Sequence, residues 1–145
     1  MLKVTRQADY GLLLVAALAF HYAEGEYVSL KHVAEKRKLP YRFLGKIVTP
    51  FKKVGIVESR EGVTGGYRLA RAPEKISIRE VLEALGEPLS LVRCADSERA
   101  CQSFCQCFSK RFWRDVQQKI DELLDNYTVA DLIEEGSVPN VQFKI

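Results

Sequence analysis

No run of apolar residues in this 145-residue chain approaches the ~20 needed to cross a bilayer, so no membrane partner is expected. Internal repeats and low-complexity segments are also missing, which argues against repeat architectures and linker-like chains. There is no nucleophile elbow, and the glycines at 62, 65 and 66 lack the following helix that a phosphate-binding loop requires. Neither an enzyme nor a small-molecule substrate is therefore expected. Histidine occurs only at His21 and His32, both assigned structural roles. Cysteine is confined to one fourteen-residue window, Cys94, Cys101, Cys105 and Cys107. A fold stapled by distributed disulfides is thus disfavoured, and clustered thiols point to metal binding or redox activity.

What is present is uneven in charge. Residues 1–70 carry twelve Lys/Arg against six Asp/Glu, a balance of +6, while residues 71–145 carry ten against thirteen, a balance of −3. A basic front half suits a polyanion partner and the rear half does not. The stretch from Gly11 to Phe20, behind Lys3 and Arg6 and ending near Ala17-Leu18-Ala19, imitates a secretory leader. Asp9 interrupts that pattern, and the same residues make an amphipathic helix, so a cytoplasmic protein is expected.

The apolar spacing predicts a helix capped by Thr5 and running to about Tyr22, with Leu12, Val15, Ala16, Ala19 and Phe20 inward, broken by Gly25. Ser29 caps a second short helix with Leu30, Val33 and Ala34 inward, and Arg37-Lys38-Leu39 makes a turn. Pro40 opens a third helix to about Val54, burying Phe43, Leu44, Ile47, Val48 and Phe51. Pro50 argues for a kink or an early end there, and Gly55 stops the helix. Two short extended runs, Ile56–Arg60 and Tyr67–Ala70, flank a Gly-rich loop and predict a β-hairpin.

Helix, helix, turn, helix and hairpin is the order of a winged helix-turn-helix. Further on, a Ser77-capped helix buries Ile78, Val81, Leu82 and Leu85. A long helix from about Phe108 to Asn126 carries the stripe Phe112, Val116, Ile120, Leu123 and Leu124, and Thr128 caps a last short helix to about Glu135. The expected class is mainly α with a small β-hairpin wing. Its expected units are a winged helix-turn-helix over 1–72, a linking helix and Cys-rich loop over 73–107, a dimerisation helix and short C-terminal helix over 108–135, and a tail over 136–145.

A recognition helix brings side chains to base edges while its flanks hold phosphates. The third helix offers Tyr41, Arg42, Gly45 and Lys46 on the face away from its apolar set, with Lys38 just before it. Arg42 and Lys46, four residues apart, share one face and are the candidates for base or phosphate contact. Arg60 and Arg68 belong to the wing, and Ser29 lies at a helix N-terminus whose backbone N–H groups can meet phosphate. The partner implied is double-stranded DNA. The stripe of the long helix implies a homodimer, because two-fold pairing sets two reading heads about one DNA turn apart.

Soft thiolates gathered as tightly as these can hold an iron–sulfur cluster or zinc, or can exchange electrons as a disulfide. Structural zinc usually shows paired short C-x2-4-C spacings, which are missing here.

The segment Lys3-Val4-Thr5-Arg6-Gln7-Ala8-Asp9-Tyr10 resembles that of the IscR/NsrR-type regulators, the Rrf-two family. So do Ala34-Glu35, Phe43-Leu44-Gly45-Lys46-Ile47, the wing Gly65-Gly66-Tyr67-Arg68-Leu69 and the Cys-rich loop before Trp113-Arg114-Asp115-Val116. The likeness runs from residue 1 to about 135. It implies a dimeric, sequence-specific transcription regulator, acting as a repressor and sensing oxygen, nitric oxide or iron status through an iron–sulfur cluster.

In that family three loop cysteines ligate the cluster. Cys107, six residues before Trp113, matches the third, and Cys94 and Cys101 match the first two in a C-x6-C-x5-C arrangement. The IscR subgroup has a histidine three residues after its last cysteine, where this chain has Lys110, which does not fit a [2Fe–2S] site of that kind. The NsrR subgroup completes a [4Fe–4S] cluster with an aspartate of the partner subunit, and Asp9 matches that position, so [4Fe–4S] is favoured. Cys105 has no counterpart and stands open as a fourth ligand, a redox partner of Cys107 or a small buried hydrophobe. Some members carry a glutamate where Gly45 stands, so the operator is not transferable. The competing readings are an apo-regulator working through cysteine redox state or a protein partner, and a small redox or iron–sulfur carrier.

Overall fold

The computed structural model describes residues 3–87, 89–92 and 107–134. Cys94, Cys101, Cys105 and the 136–145 tail lie outside the described residues.

Helix α1 spans Arg6–Ala19, and the Thr5 hydroxyl accepts the Ala8 N–H at 3.1 Å, as its cap position requires. The helix is shorter than the spacing predicts. Beyond Ala19 the backbone tightens into i→i−3 bonds, His21 N–H to the Leu18 carbonyl and Tyr22 N–H to the Ala19 carbonyl, both 3.2 Å. The inward face differs too: Leu14, Val15 and Leu18 are fully buried, Leu12 and Ala16 are half-buried, and Phe20 is 53% exposed. Leu14 and Leu18, one turn apart, carry the core contact that the predicted set gave to Phe20. Phe20 instead lies beneath the Arg37 guanidinium at 5.4 Å.

Helix α2 spans Leu30–Arg37 and α3 spans Tyr41–Lys53. Ser29 caps α2 by accepting the His32 N–H at 3.1 Å. Lys38 closes α2 in the left-handed region, φ 54°, and so turns the chain into α3. Leu44, Ile47, Val48 and Phe51 are buried and Phe43 is half-buried, its ring edge-on to Tyr10 at 5.3 Å. Each fully buried side chain of this size contributes roughly 1.5–3 kcal/mol relative to exposure. Helix α3 runs through Pro50 and ends three residues later, and the Thr49 hydroxyl donates to the Gly45 carbonyl at 3.2 Å.

Strands β1 (Val57–Arg60) and β2 (Gly66–Leu69) pair antiparallel, with Val57 opposite Leu69 and Arg60 opposite Gly66. Val28, from a third segment of chain, bridges to β2 and exchanges two 2.8 Å hydrogen bonds with Tyr67. This pairing explains Gly66: its φ is +149°, and a Cβ there would sit 2.6 Å from the Val28 carbonyl carbon and oxygen.

A 3-10 turn at Pro73–Lys75 leads into α4 (Ile78–Ala84), capped by Ser77, whose hydroxyl accepts the Glu80 N–H at 3.1 Å. Helix α5 spans Lys110–Asn126 and begins after Phe108, which is exposed. Arg79 ties α4 to α5 through Asp125 at 2.9 Å while pairing with Glu83 on its own helix, also at 2.9 Å. The chain then returns: Ile78 N–H donates to the Tyr127 carbonyl at 2.8 Å and Val129 N–H to the Ile76 carbonyl at 2.9 Å.

The last short helix is a 3-10 turn, Ala130–Leu132, and its capping is reversed from expectation. The Asp131 carboxylate accepts the N–H of Thr128 at 2.7 Å and its hydroxyl at 3.1 Å. Ile76, Val81, Leu85 and Val129 share one core with Leu14, Leu44 and Phe51.

Candidate nucleic-acid interface

The helix-turn-helix leaves a cationic face open because its apolar residues are used up inward. Tyr41 is 58% exposed, and Arg42, Lys46 and Lys38 are exposed on the outer side of α3 and the turn before it. Gly45 lies on that face with nothing within 4 Å of the position a Cβ would take. The surface around Arg42 and Lys46 is thus low at its centre, which lets a groove edge approach the backbone.

The wing places its two arginines differently. Arg60 donates to the Thr64 carbonyl at 2.8 Å and is exposed at the hairpin end. Arg68 is half-buried, paired with Glu58 and bonded to the Gly25 carbonyl at 3.3 Å. The Glu58 hydrogen bond, opposed by partial desolvation, raises Arg68 above the ordinary guanidinium range. Both guanidinium carbons lie over the Tyr27 ring, at 4.2 Å for Arg60 and 4.5 Å for Arg68, and the Tyr27 hydroxyl donates to Glu58 at 3.3 Å. Arg60 is therefore held at the wing tip by stacking, while Arg68 braces the wing base.

A groove of about 610 Å³ separates the first turn of α2 from the wing, lined by Ser29, His32, Arg60, Thr64 and Gly65 among others. Ser29 faces it already committed as an N-cap. The structure thus gathers Ser29 and Arg60 on one groove, and Tyr41, Arg42 and Lys46 on one helix with Lys38 leading in.

Tyr27 and Val28 were missed by sequence reasoning. Their signal is an aromatic and a β-branched residue in succession just before the Ser29 cap, which is a short strand pattern. Gln117 was missed as well. Its side chain accepts the Leu91 N–H at 2.8 Å and donates to the Leu89 carbonyl at 2.9 Å, clamping the segment that leads toward the cysteine loop onto α5.

Of the thiol set, Cys107 is described. It is half-buried just before α5, 3.4 Å from the Ser109 hydroxyl. The Ser109 side-chain and backbone hydrogen bonds, with smaller help from Lys110, bring its pKa below the ordinary thiol value. It shares a shallow pocket with Lys110, Arg111, Arg114 and Asp115. Asp9 is exposed in the first turn of α1. Among the described residues no helix is long and apolar enough to cross a membrane.

Fold and surface together define a winged helix-turn-helix DNA-binding transcription regulator. The family described as Iron-dependent Transcriptional regulator, Rrf2, matches residues 4–135, and the chain belongs to that family. It is 28% identical over 137 residues to protein rrf2 of Nitratidesulfovibrio vulgaris, covering 94% of this chain and 91% of that one. Among solved structures it is similar to CymR (YrzC), the global cysteine regulator of B. subtilis, with TM-score 0.75 and 30% identity over 92% of this chain and 97% of the other. It is also similar to T. potens IscR, with TM-score 0.73 and 32% identity over 91% and 86%. Like these relatives it is a regulator rather than an enzyme.

Proposed function

We propose that this regulator binds its operator as a two-fold dimer joined along α5, and that an iron–sulfur cluster at the base of α5 sets its affinity for DNA. The observation that carries this reading is α5 itself: seventeen residues, beginning three after Cys107, whose apolar stripe the protomer covers only in part, leaving Phe112 exposed and Val116, Ile120, Leu123 and Leu124 half-buried. A second copy is the occupant that covers such a stripe and at the same time spaces two reading heads for one duplex.

In this reading Arg42, Lys46 and Tyr41 meet base edges or phosphates, Lys38 and Ser29 hold backbone phosphates, and Arg60 reaches from the wing tip. Arg68 contributes field rather than contact, since Glu58 occupies its guanidinium.

The chemistry of the Cys107 donor fits an iron ligand, because the thiolate form that binds metal is the form its surroundings favour. Cys94, Cys101 and Cys107 would hold the cluster. Asp9 of the partner subunit, or else Cys105, would complete it, which favours [4Fe–4S] over [2Fe–2S]. Such a group supplies a centre that oxygen, nitric oxide or iron shortage can alter. Gln117 fastens the strand of chain entering the loop to α5, so a change in the loop would be passed to the dimer seam. Repression released by cluster loss is the expected output.

The test is an absorption spectrum of protein purified without oxygen, followed by operator binding with and without the cluster. A broad visible band and a DNA affinity that changes on cluster removal are expected. Colourless protein, or equal binding by both forms, overturns the sensing part and leaves the DNA-binding part standing.

The likeness to a cysteine regulator favours a second reading, in which the apo-protein works through thiol state or a protein partner. The lowered Cys107 thiol supports it. Here operator affinity would follow oxidation of a colourless protein and return on reduction.

A further inference from the structure

We propose that His21, Glu24 and Glu26 form a site for a divalent first-row transition cation in the turn between α1 and α2. The three residues lie in the DNA-binding half, on a segment separate from the cysteines.

The site follows from how α1 ends. After Ala19 the chain makes three successive tight turns, the last closed by the Gly25 N–H on the Tyr22 carbonyl at 3.0 Å. Gly25 sits at φ +67°, a conformation that swings the two flanking glutamates back toward the end of the helix. The His21 Nδ1 then lies 3.4 Å from a Glu26 carboxylate oxygen and 3.9 Å from one of Glu24. One ligand atom from each of the three falls within 4.8 Å of the others.

The Nδ1 atom is itself buried and makes no hydrogen bond, so its approach to Glu26 is a contact without donor geometry. Buried nitrogens are rarely left in this state, and a metal ion is one of the few partners that two carboxylates and an imidazole lone pair satisfy together.

Distances agree with this. Bonds of about 2.0–2.2 Å to nitrogen and oxygen set neighbouring ligand atoms roughly 3.0–3.5 Å apart. The His21–Glu26 pair already meets that spacing, and Glu24, with its side chain 66% exposed, needs to close by about 1 Å on the same geometry. One imidazole and two carboxylates balance a dication and suit zinc, manganese or ferrous iron, whereas calcium prefers all-oxygen sites and cuprous ion prefers thiolates. Water completes the shell, because both glutamates face solvent.

The site is placed to act on DNA binding. The Gly25 carbonyl, in the middle of the ligand set, accepts from Arg68, which holds Glu58 and the Tyr27 ring at the base of the wing. A cation here would stiffen that base.

Manganese is the probe, since it is paramagnetic and leaves thiolates for oxygen and nitrogen donors. Backbone amide spectra of the full chain, titrated with Mn2+ alone, should show broadening centred on residues 21–26 at low stoichiometry, reversed by added Zn2+. In His21→Gln and in Glu26→Gln the dissociation constant should rise about tenfold or more, with the remaining amide positions unchanged to show that the variants fold. Broadening that survives both substitutions, that centres elsewhere, or that never localises overturns the proposal and leaves a simple His–Glu ion pair.

Discussion

Helix α3 buries Leu44, Ile47, Val48 and Phe51 against its own chain and turns a cationic face outward, whereas the α5 stripe is nowhere fully buried: Val116, Ile120, Leu123 and Leu124 are half-buried and Phe112 is exposed. Phe51 is fully enclosed and Phe112, the first large residue of the α5 stripe, is 59% exposed. The contrast teaches that an apolar stripe states a need for cover without saying who provides it. For α3 the cover is α1, α2 and the strands, and the opposite, charged side is the one proposed to meet DNA. For α5 the partly covered apolar side is the surface that the proposed dimer would use.

The comparison can be broken most forcefully at its two phenylalanines. Phe51→Ala should lower unfolding free energy by about 3–5 kcal/mol, measured by urea titration. Phe112→Ala should change the stability of the isolated protomer little but shift sedimentation toward monomer. Equal losses in stability would mean that α5 is core after all.

Gly66→Ala tests whether the wing is as tightly specified as the helix it flanks. The added methyl meets the Val28 backbone, so a loss of about 1–3 kcal/mol is expected, with weakened operator binding in gel-shift titrations. Arg42→Ala should leave folding intact and weaken operator binding by about 1–3 kcal/mol if it reads a base. If it holds a phosphate, the loss should be similar on all sequences and the salt slope should fall by about one. Gly45→Ala is the gentlest change. It should raise stability by about 0.5–1 kcal/mol, and any accompanying drop in DNA affinity would show that the duplex comes close to the α3 backbone.

Much of this was readable from local chemistry. Thr5, Ser29 and Ser77 cap as expected because capping depends on a side chain and amides two or three residues away. The buried set of α3 follows from its 3.6-residue period, and the hairpin from Gly-rich punctuation between two extended runs. The candidate reading surface was legible for the same reason, since charge at i and i+4 on one helix needs no long-range information.

What escaped depended on distant partners. The inner face of α1 rotated from Phe20 to Leu14 and Leu18 once the helix stopped at Ala19. Arg68 looks as free as Arg60 in the sequence, yet Glu58 across the hairpin and Gly25, forty-three residues earlier, absorb it. His21, given a structural role, acquired two carboxylate neighbours because a left-handed glycine folded the turn back on it.

The sequence by itself determined the order of elements, the basic outer face of α3 and the wing, since each rests on period, cap or spacing within a few residues. Only the tertiary structure decided that Val28 extends the wing, that Val129 returns to the core beneath α1, and which cations are spent inside the protein. Those outcomes depend on which segments meet, and contact between residues tens of positions apart is settled by packing and charge pairing rather than by local preference.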